Sequence, residues 1–343
     1  MGLRSYIIRR FLLIIPTLIG VTLLIFFVIQ LFTPEQRAML YIRDPRQIAD
    51  IDDIIRIYNL NAPLHIQYFI WMSELLSGNL GFSHTAHTTV VNALIQRFPA
   101  TIELVMFAIP LTIVIGVYLG VISATHKDKI VDHITRSVSI IGWSLPSFWL
   151  GIVLIAIFFG GFGVFPPERL SISVQRYVTS TEFIRYTRIN TIDGLLNGNL
   201  WVVLDALQHL VLPTVTLTAI SIALIVRVMR SSMLEALNKG YITMARAKGL
   251  ARKEVVNKHA RRNALIPVVT LSGLLAASFL NGVVITETVF NINGVGRFGV
   301  NAALNFDIPA VLGFALFSGV LFIVANLLVD IAYAYIDPRI RLG

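Results

Sequence analysis

Cysteine is absent from the chain, so disulfides, thiol catalysis and cysteine-based metal sites are excluded. Charge is scarce: 14% of residues are Asp, Glu, Lys or Arg, against about 25% in soluble domains. Instead 56% of residues are hydrophobic and the mean hydropathy is +0.76, which makes the bilayer the expected solvent. A phosphate-cradling Walker A loop needs Lys followed by Ser or Thr, and none of the six lysines is so followed, so this chain holds no ATPase site of that kind. The H-E-x-x-H pair of zinc metalloproteases is missing as well. Of the seven histidines only His209 falls in an apolar run, so a membrane-embedded serine hydrolase would have a single candidate base there, which weighs against that reading.

What is present is a series of uncharged runs. Crossing a hydrocarbon core of about 30 Å takes about 20 helical residues, and six runs qualify: Phe11 to Phe32, Leu104 to Ala124, Ser137 to Pro167, Ala206 to Val226, Asn263 to Thr286 and Ile308 to Val329. The third exceeds one span, and Gly160-Gly161-Phe162-Gly163 with Pro166-Pro167 predicts that its helix ends near Phe159. The first is longer than a signal-peptide core and has no small-residue cleavage site behind it, so it reads as a retained span. Helices satisfy their own backbone in lipid, so the expected fold is all-α: a polytopic bundle of six transmembrane helices.

The net charge of +9 is organised by topology rather than for nucleic acid. With six spans both termini share a side, and that side carries 18 of the 28 basic residues, including every lysine. The 10 other arginines face a similar number of acids. The positive-inside rule therefore predicts a multi-pass protein of the cell (inner) membrane with both termini cytoplasmic.

Two external segments are too long for turns, Thr33 to Ala100 and Gly161 to Asp205. Ile51 to Tyr58 and Tyr68 to Leu76 mix apolar and charged residues at helical spacing and predict amphipathic helices. Tyr68, Phe69 and Trp71 fit either an interfacial aromatic anchor or a docking face. The second segment is loop-like. A division follows into residues 1–98, the first span with an external subdomain, and residues 99–343, a five-helix core. Pro16, Pro110, Pro146, Pro213, Pro267 and Pro309 lie in or at the ends of the runs, where proline kinks a helix or is merely tolerated. No internal repeat stands out, and no carboxylate lies near the middle of a run, which weighs against the alternative of a secondary transporter or channel subunit.

The most informative segment is the cytoplasmic loop 227–262, with ten basic residues against Glu235 and Glu254. Within it, Tyr241-Ile-Thr-Met-Ala-Arg-Ala-Lys-Gly249-Leu250 is a run of helix formers closed by glycine, where a left-handed turn with positive φ is expected. A second helix over 252–264 leads into span five. A short helix presented this way is suited to seat in a partner's groove as a lever.

The chain resembles the permease subunits of binding-protein-dependent ATP-binding-cassette importers, specifically the dipeptide and oligopeptide group. The resemblance rests on Tyr6-Ile-Ile-Arg-Arg-Phe-Leu-Leu-Ile-Ile-Pro-Thr-Leu18, Arg97-Phe-Pro-Ala-Thr-Ile-Glu-Leu104, Ser144-Leu-Pro-Ser-Phe-Trp149, the 241–250 run with His259-Ala-Arg-Arg-Asn-Ala-Leu-Ile-Pro267, Glu287-Thr-Val-Phe290, Gly294-Val-Gly296 and Asp337-Pro-Arg-Ile-Arg341, in that order. The wider family carries a Glu-Ala-Ala…Gly motif in this loop. Gly249 matches its glycine, while Met244, Ala245 and Arg246 occupy the other positions.

The resemblance implies a homologous second permease subunit completing the pore, two ATPase subunits, an external solute-binding protein, and the lipid bilayer as surroundings. ATP and magnesium would sit on the partner ATPases, with no cofactor or metal on this chain and no nucleic acid involved. Peptides are the first cargo implied, with oligosaccharides and metal chelates carried by close relatives. The coupling set becomes Ala245, Arg246, Ala247, Lys248 and Gly249, with Ala245 and Ala247 expected to allow close approach to the ATPase. The candidate path or gate residues are Glu103, Asn281, Glu287 and Asn326, although carboxylates at span ends are more often structural.

Overall fold

The structure is a computed structural model that describes residues 3–44, 51–280 and 283–336. Asn281 and the terminal 337–341 motif lie outside the described residues.

Helix α1 (Leu3–Ile29) opens the chain, and α2 (Pro34–Ala38), α3 (Ile51–Ile57) and α4 (Leu64–Leu76) build the first external segment. Thr33 starts α2 with a capping box, its side chain receiving the Gln36 N–H while the Gln36 side chain receives its own. A short hairpin of two-residue strands, β1 (Phe82–Ser83) and β2 (Thr88–Thr89), leads into α5 (Val90–Thr125). Then come α6 (Ile130–Ser144), α7 (Ser147–Leu154, continued as a π-helical turn to Gly161), α8 (Ile172–Val178), α9 (Asn190–Leu196) and α10 (Leu200–Leu237). The chain finishes with α11 (Gly240–Ala247), α12 (Arg252–Glu254), a π-helical turn Val255–Ala260, α13 (Arg261–Leu280), α14 (Val284–Val289), α15 (Val295–Leu304) and α16 (Ile308–Ile336).

Among the described residues five helical stretches are long and apolar enough to cross a membrane, Arg9–Ile29, Val90–Thr125, Leu200–Leu237, Arg252–Leu280 and Ile308–Val329, and α6 with α7 makes a sixth if the bent pair is counted as one span. The expected all-α polytopic bundle is the observed one. Three expectations are corrected. The third run is not one helix: it turns by 100° between Ser144 and Ser147. Pro146 disfavours helical geometry in the residue before it, and Leu145 is extended (φ −78°, ψ 133°). The fifth run does not continue to Thr286, because α13 ends at Leu280 and α14 starts afresh at Val284. The second and fourth helices overrun their apolar runs: α5 has 36 residues and α10 has 38, about 54 and 57 Å at 1.5 Å per residue, far beyond the hydrocarbon core. The proposed division at residue 98 falls inside the continuous α5.

The hydrophobic clusters sort the helix ends. At one end, here the loop-rich end, Ile25 and Phe26 of α1 pack with Tyr41, Trp71 and Leu312, and Val90 and Leu94 of α5 pack with Phe298 and Ala310. At the other, the basic end, Ala124 of α5 clusters with Met229 and Met233 of α10, with Ala260 of the π-helical turn and with Ala264 in the first turn of α13. Successive spans therefore run in alternating directions. Close approach is set by small residues: a Cβ on Gly116 or Gly120 would lie 2.5 and 2.6 Å from Ile225 and Met229 of α10, and one on Gly273 would lie 2.6 Å from Val329.

The loop-rich end is more structured than sequence indicated. Trp71 is buried against Phe26 and Tyr68, and the Tyr68 hydroxyl is 3.0 Å from that of Thr22, so these rings fasten α4 to α1; only Phe69 stays exposed. The loop-like second segment holds α8 and α9 and a small core of Leu170, Val174, Val178 and Phe183 against Val202 and Ala206.

Candidate functional site

The short helix α11 sits at the basic end between α10 and the start of α13. Its termination is a Schellman motif: Leu250 N–H donates to Ala245 O (3.3 Å), Gly249 N–H to Arg246 O (2.9 Å), and Gly249 takes φ +79°. Leu250 then packs on the cluster beneath the helix, the apolar contact that accompanies this cap. An ideal Cβ on Gly249 meets nothing within 4 Å, so its requirement for glycine comes from backbone conformation alone.

Ile242 and Ala245 are buried, packed with Met229, Met233, Val255 and Ala260. Helical periodicity then turns Tyr241, Met244, Ala247 and Lys248 outward, with Met244 62% exposed. The expectation for Ala245 is thus corrected: it approaches the chain's own α10, not a partner, because one face of an eight-residue helix must be buried to hold it. Ala247, Arg246 and Lys248 are exposed. A cleft of about 640 Å³ beside α11 is lined by Arg246, Arg252, Lys127 and Asn238. Arg252 closes its far wall by donating to the carbonyl of Thr125 (3.0 Å).

Beneath this surface lies a bond system absent from the sequence reading. Asp132 of α6 is buried and takes Arg230 of α10 in a two-pronged pair (Nη2 to Oδ2 2.6 Å, Nε to Oδ1 2.8 Å). Asp132 also accepts from the Ser123 hydroxyl (2.5 Å) and the Asp128 N–H (3.0 Å). It thereby locks the end of α5, the start of α6 and α10. Its only signal in sequence is an acid inside a basic stretch; partners 9 and 98 positions away carry no pattern.

At the loop-rich end the candidate path carboxylates are staples. Glu103 is buried and accepts from Arg169 Nη2 (2.5 Å) and from the Thr191 N–H and hydroxyl (2.8 and 3.1 Å), tying the α8–α9 segment across α5. Glu287 is fully buried and accepts from the Thr101 hydroxyl (2.6 Å) and the Arg297 N–H (2.8 Å). The Thr101 hydroxyl in turn accepts from the Val295 N–H (3.1 Å). Glu287 so caps the first turn of α15, where the helix N-terminus favours a negative charge. Burial nonetheless pushes its carboxyl above the usual range, with Thr101 and the backbone donors acting against the rise. The Gly294-Val-Gly296 motif is explained by the same contact: a Cβ on Gly294 would overlap the Glu287 carboxylate, and one on Gly296 would come within 3.0 Å of it. Neither glutamate therefore offers a free carboxylate to a path.

Two further acids do the same work. Asp307 accepts from the Ser83 hydroxyl (2.7 Å), the Thr85 N–H (2.9 Å) and the Ala310 N–H (3.2 Å), and Asp193 accepts from the Thr187 and Arg188 N–H groups (both 2.8 Å). Asn326 is half-buried on α16. Among the described residues no group of three His, Asp or Glu is placed to hold a metal ion.

A family model described as "Binding-protein-dependent transport system inner membrane component" matches residues 116–342, and a companion model for the N-terminal part of such membrane components matches residues 3–105. Among similar proteins is a dipeptide transport system permease protein of Alkalihalophilus pseudofirmus, 36% identical over 340 residues, covering 98% of this chain and 99% of that one. A di/tripeptide transport system permease protein of Pseudomonas aeruginosa is 38% identical, with 98% of each chain covered. An oligopeptide transport system permease protein of Bacillus subtilis is 35% identical, covering 98% of this chain and 99% of the relative.

Proposed function

The chain belongs to the family of binding-protein-dependent transport system inner membrane components, and from that premise we propose that it forms half of the pore of an ATP-driven peptide importer, with α11 taking the stroke of a partner ATPase. Peptide cargo is supported by relatives named for dipeptide, di/tripeptide and oligopeptide transport that align along nearly the whole chain. The remaining half of the pore, two ATPase subunits and an external binding protein complete the proposed assembly. The basic end faces the cytoplasm in this reading.

The single observation that carries the coupling assignment is the two-faced build of α11. Ile242 and Ala245 bury its inner face in one cluster with Met229 and Met233 of α10 and with the Val255–Ala260 turn that leads into α13, while Tyr241, Met244 and Ala247 stand exposed on the other side. A force on the exposed face therefore moves α10 and α13 with it rather than bending a loop. Helix α10 reaches from this surface to the loop-rich end, so rotation at one end displaces the other, as a rigid-body switch between inward and outward states requires.

The test is Gly249→Val in the complete transporter. Valine at positive φ costs about 1–2 kcal/mol and distorts the end of α11 without changing charge. The variant should insert in the membrane, yet lose ATPase retention or substrate-stimulated ATP hydrolysis. Full transport with normal ATPase retention would remove the coupling assignment. Accumulation driven by an ion gradient without ATP would overturn the importer reading itself. Because the chain has no cysteine, Arg176→Cys gives a clean orientation test: it should label from outside the cell, and labelling only from inside would invert the topology.

A further inference from the structure

The external arginines balance the acids overall, yet the fold gathers them unequally. A cleft of about 710 Å³ at the loop-rich end is lined by Arg97, Arg169, Arg176, Arg185 and Arg188, with Glu168 as its one acid. Five guanidinium groups thus come from α5, α8 and the two loops that flank α8. Among the described residues the only ion pair they make is Arg169 with the buried Glu103. Glu168 Oε1 accepts from Asn291 Nδ2 (2.9 Å), another residue of the cleft wall, so one carboxylate stands against the five guanidinium groups.

Arg97 is held in place, stacked 4.8 Å from the Phe298 ring centre and hydrogen-bonded to Ala93 O and Asn293 Oδ1 (3.2 and 3.3 Å). Arg185 is fixed by its Nε to Val178 O (2.9 Å). Partial burial and then the neighbouring Arg169 pull the Arg185 guanidinium below its ordinary value, with Asp193 acting against the fall and Arg188 adding to it. The Nε of Arg169 is buried with no hydrogen-bond partner. Three residues lining the cleft, Glu168, Arg188 and Asn291, hold left-handed backbone (φ 78°, 62° and 55°), a cost that surrounding structure sustains and that gathers at functional sites.

Planar guanidinium forks match carboxylates, and a cleft lined by one sign of charge concentrates the opposite ion. The volume lies within the range of small-molecule sites, about 300–1,000 Å³, and well above what one carboxylate fills. We propose that this cleft is a carboxylate-binding site at the outer mouth, which holds the free C-terminal carboxylate of a short peptide as it enters the transporter. The identity of the carrier rests on the importer reading; the carboxylate chemistry rests on the arginines.

The experiment uses the complete transporter in lipid nanodiscs, without binding protein, and titrates trialanine against trialanine amide. Trialanine should bind at least tenfold more tightly than the amide, and more weakly as salt rises. Arg176→Gln with Arg188→Gln should abolish that preference, while Arg176→Lys with Arg188→Lys keeps part of it; both pairs spare Arg169 and its buried partner. If neither peptide form binds but the Gln pair weakens docking of peptide-loaded binding protein at least tenfold, the site stands and its carboxylate comes from that protein, which overturns the cargo assignment. Equal binding of acid and amide, with docking unaffected by the Gln pair, overturns the site. ATP-driven peptide uptake by the unaltered assembly reports separately on the importer reading.

Discussion

The two ends of the molecule use charge in opposite ways. At the loop-rich end Glu103, Asp193, Glu287 and Asp307 are buried and consumed, each accepting a backbone N–H: from a distant segment, from the start of a helix or, for Asp193, from the turn just before its own helix. Charge there fastens covering segments onto the ends of the spans. At the basic end most charge stands on the surface, in pairs such as Glu235–Lys239 (2.9 Å) and Glu254–Lys258 (3.3 Å), which contribute little because water screens them. The exception is Asp132 with Arg230, buried beneath the exposed layer. One end is fastened by buried carboxylates, and the other holds, among the described residues, one buried pair beneath its exposed charges. Fixed geometry needs desolvated bonds, whereas charges left in water hold nothing firmly.

The largest effect should come from breaking the lock. Asp132→Ala leaves Arg230 without its counter-ion and should cost roughly 3–5 kcal/mol, read as a lowered melting temperature of the purified assembly. An equal loss from the exposed Arg246→Ala would erase the distinction between lock and lever.

Next come the staples. Glu287→Ala strips the cap from α15 and leaves the Thr101 hydroxyl and the Arg297 N–H without their acceptor, for about 1–3 kcal/mol. Hydrogen exchange should rise in residues 284–304 and stay unchanged in α11; exchange spread evenly over both ends would mean that the staple is not local. Ala245→Leu follows at about 1–3 kcal/mol from overpacking between α11 and α10. If its melting temperature is unchanged, Ala245 does not face inward as described. Met244→Ala is the smallest in stability, within about 0.5 kcal/mol for a surface change. Its expected consequence lies in coupling, a fall in substrate-stimulated ATP hydrolysis, and wild-type stimulation would show that the outer face of α11 carries no stroke.

The spans were legible because apolar length is a local property that lipid enforces, and Gly249 was legible because a glycine after a run of helix formers marks a left-handed end. Leu145-Pro146 carried a readable break, but the apolar run around it was long enough to pass for one span. Ala245 was misassigned for a related reason: in so short a helix, small size is equally consistent with approaching a partner and with packing inward. Glu103 and Glu287 were visible as acids at span ends, while Arg169 and Thr101, which occupy them, lie 66 and 186 positions away.

By itself, then, the sequence determined an all-α membrane bundle, the distribution of positive charge between its two sides and the short helix closed by Gly249, since each depends on neighbouring residues and on the solvent they meet. Only the tertiary structure decided that Asp132 locks α10, that Glu103 and Glu287 are occupied as staples, and that five arginines share one cleft. Those facts depend on which distant segments are brought within hydrogen-bonding distance, and that is set by the packing of α5 against α10 through Gly116 and Gly120, not by any pattern along the chain.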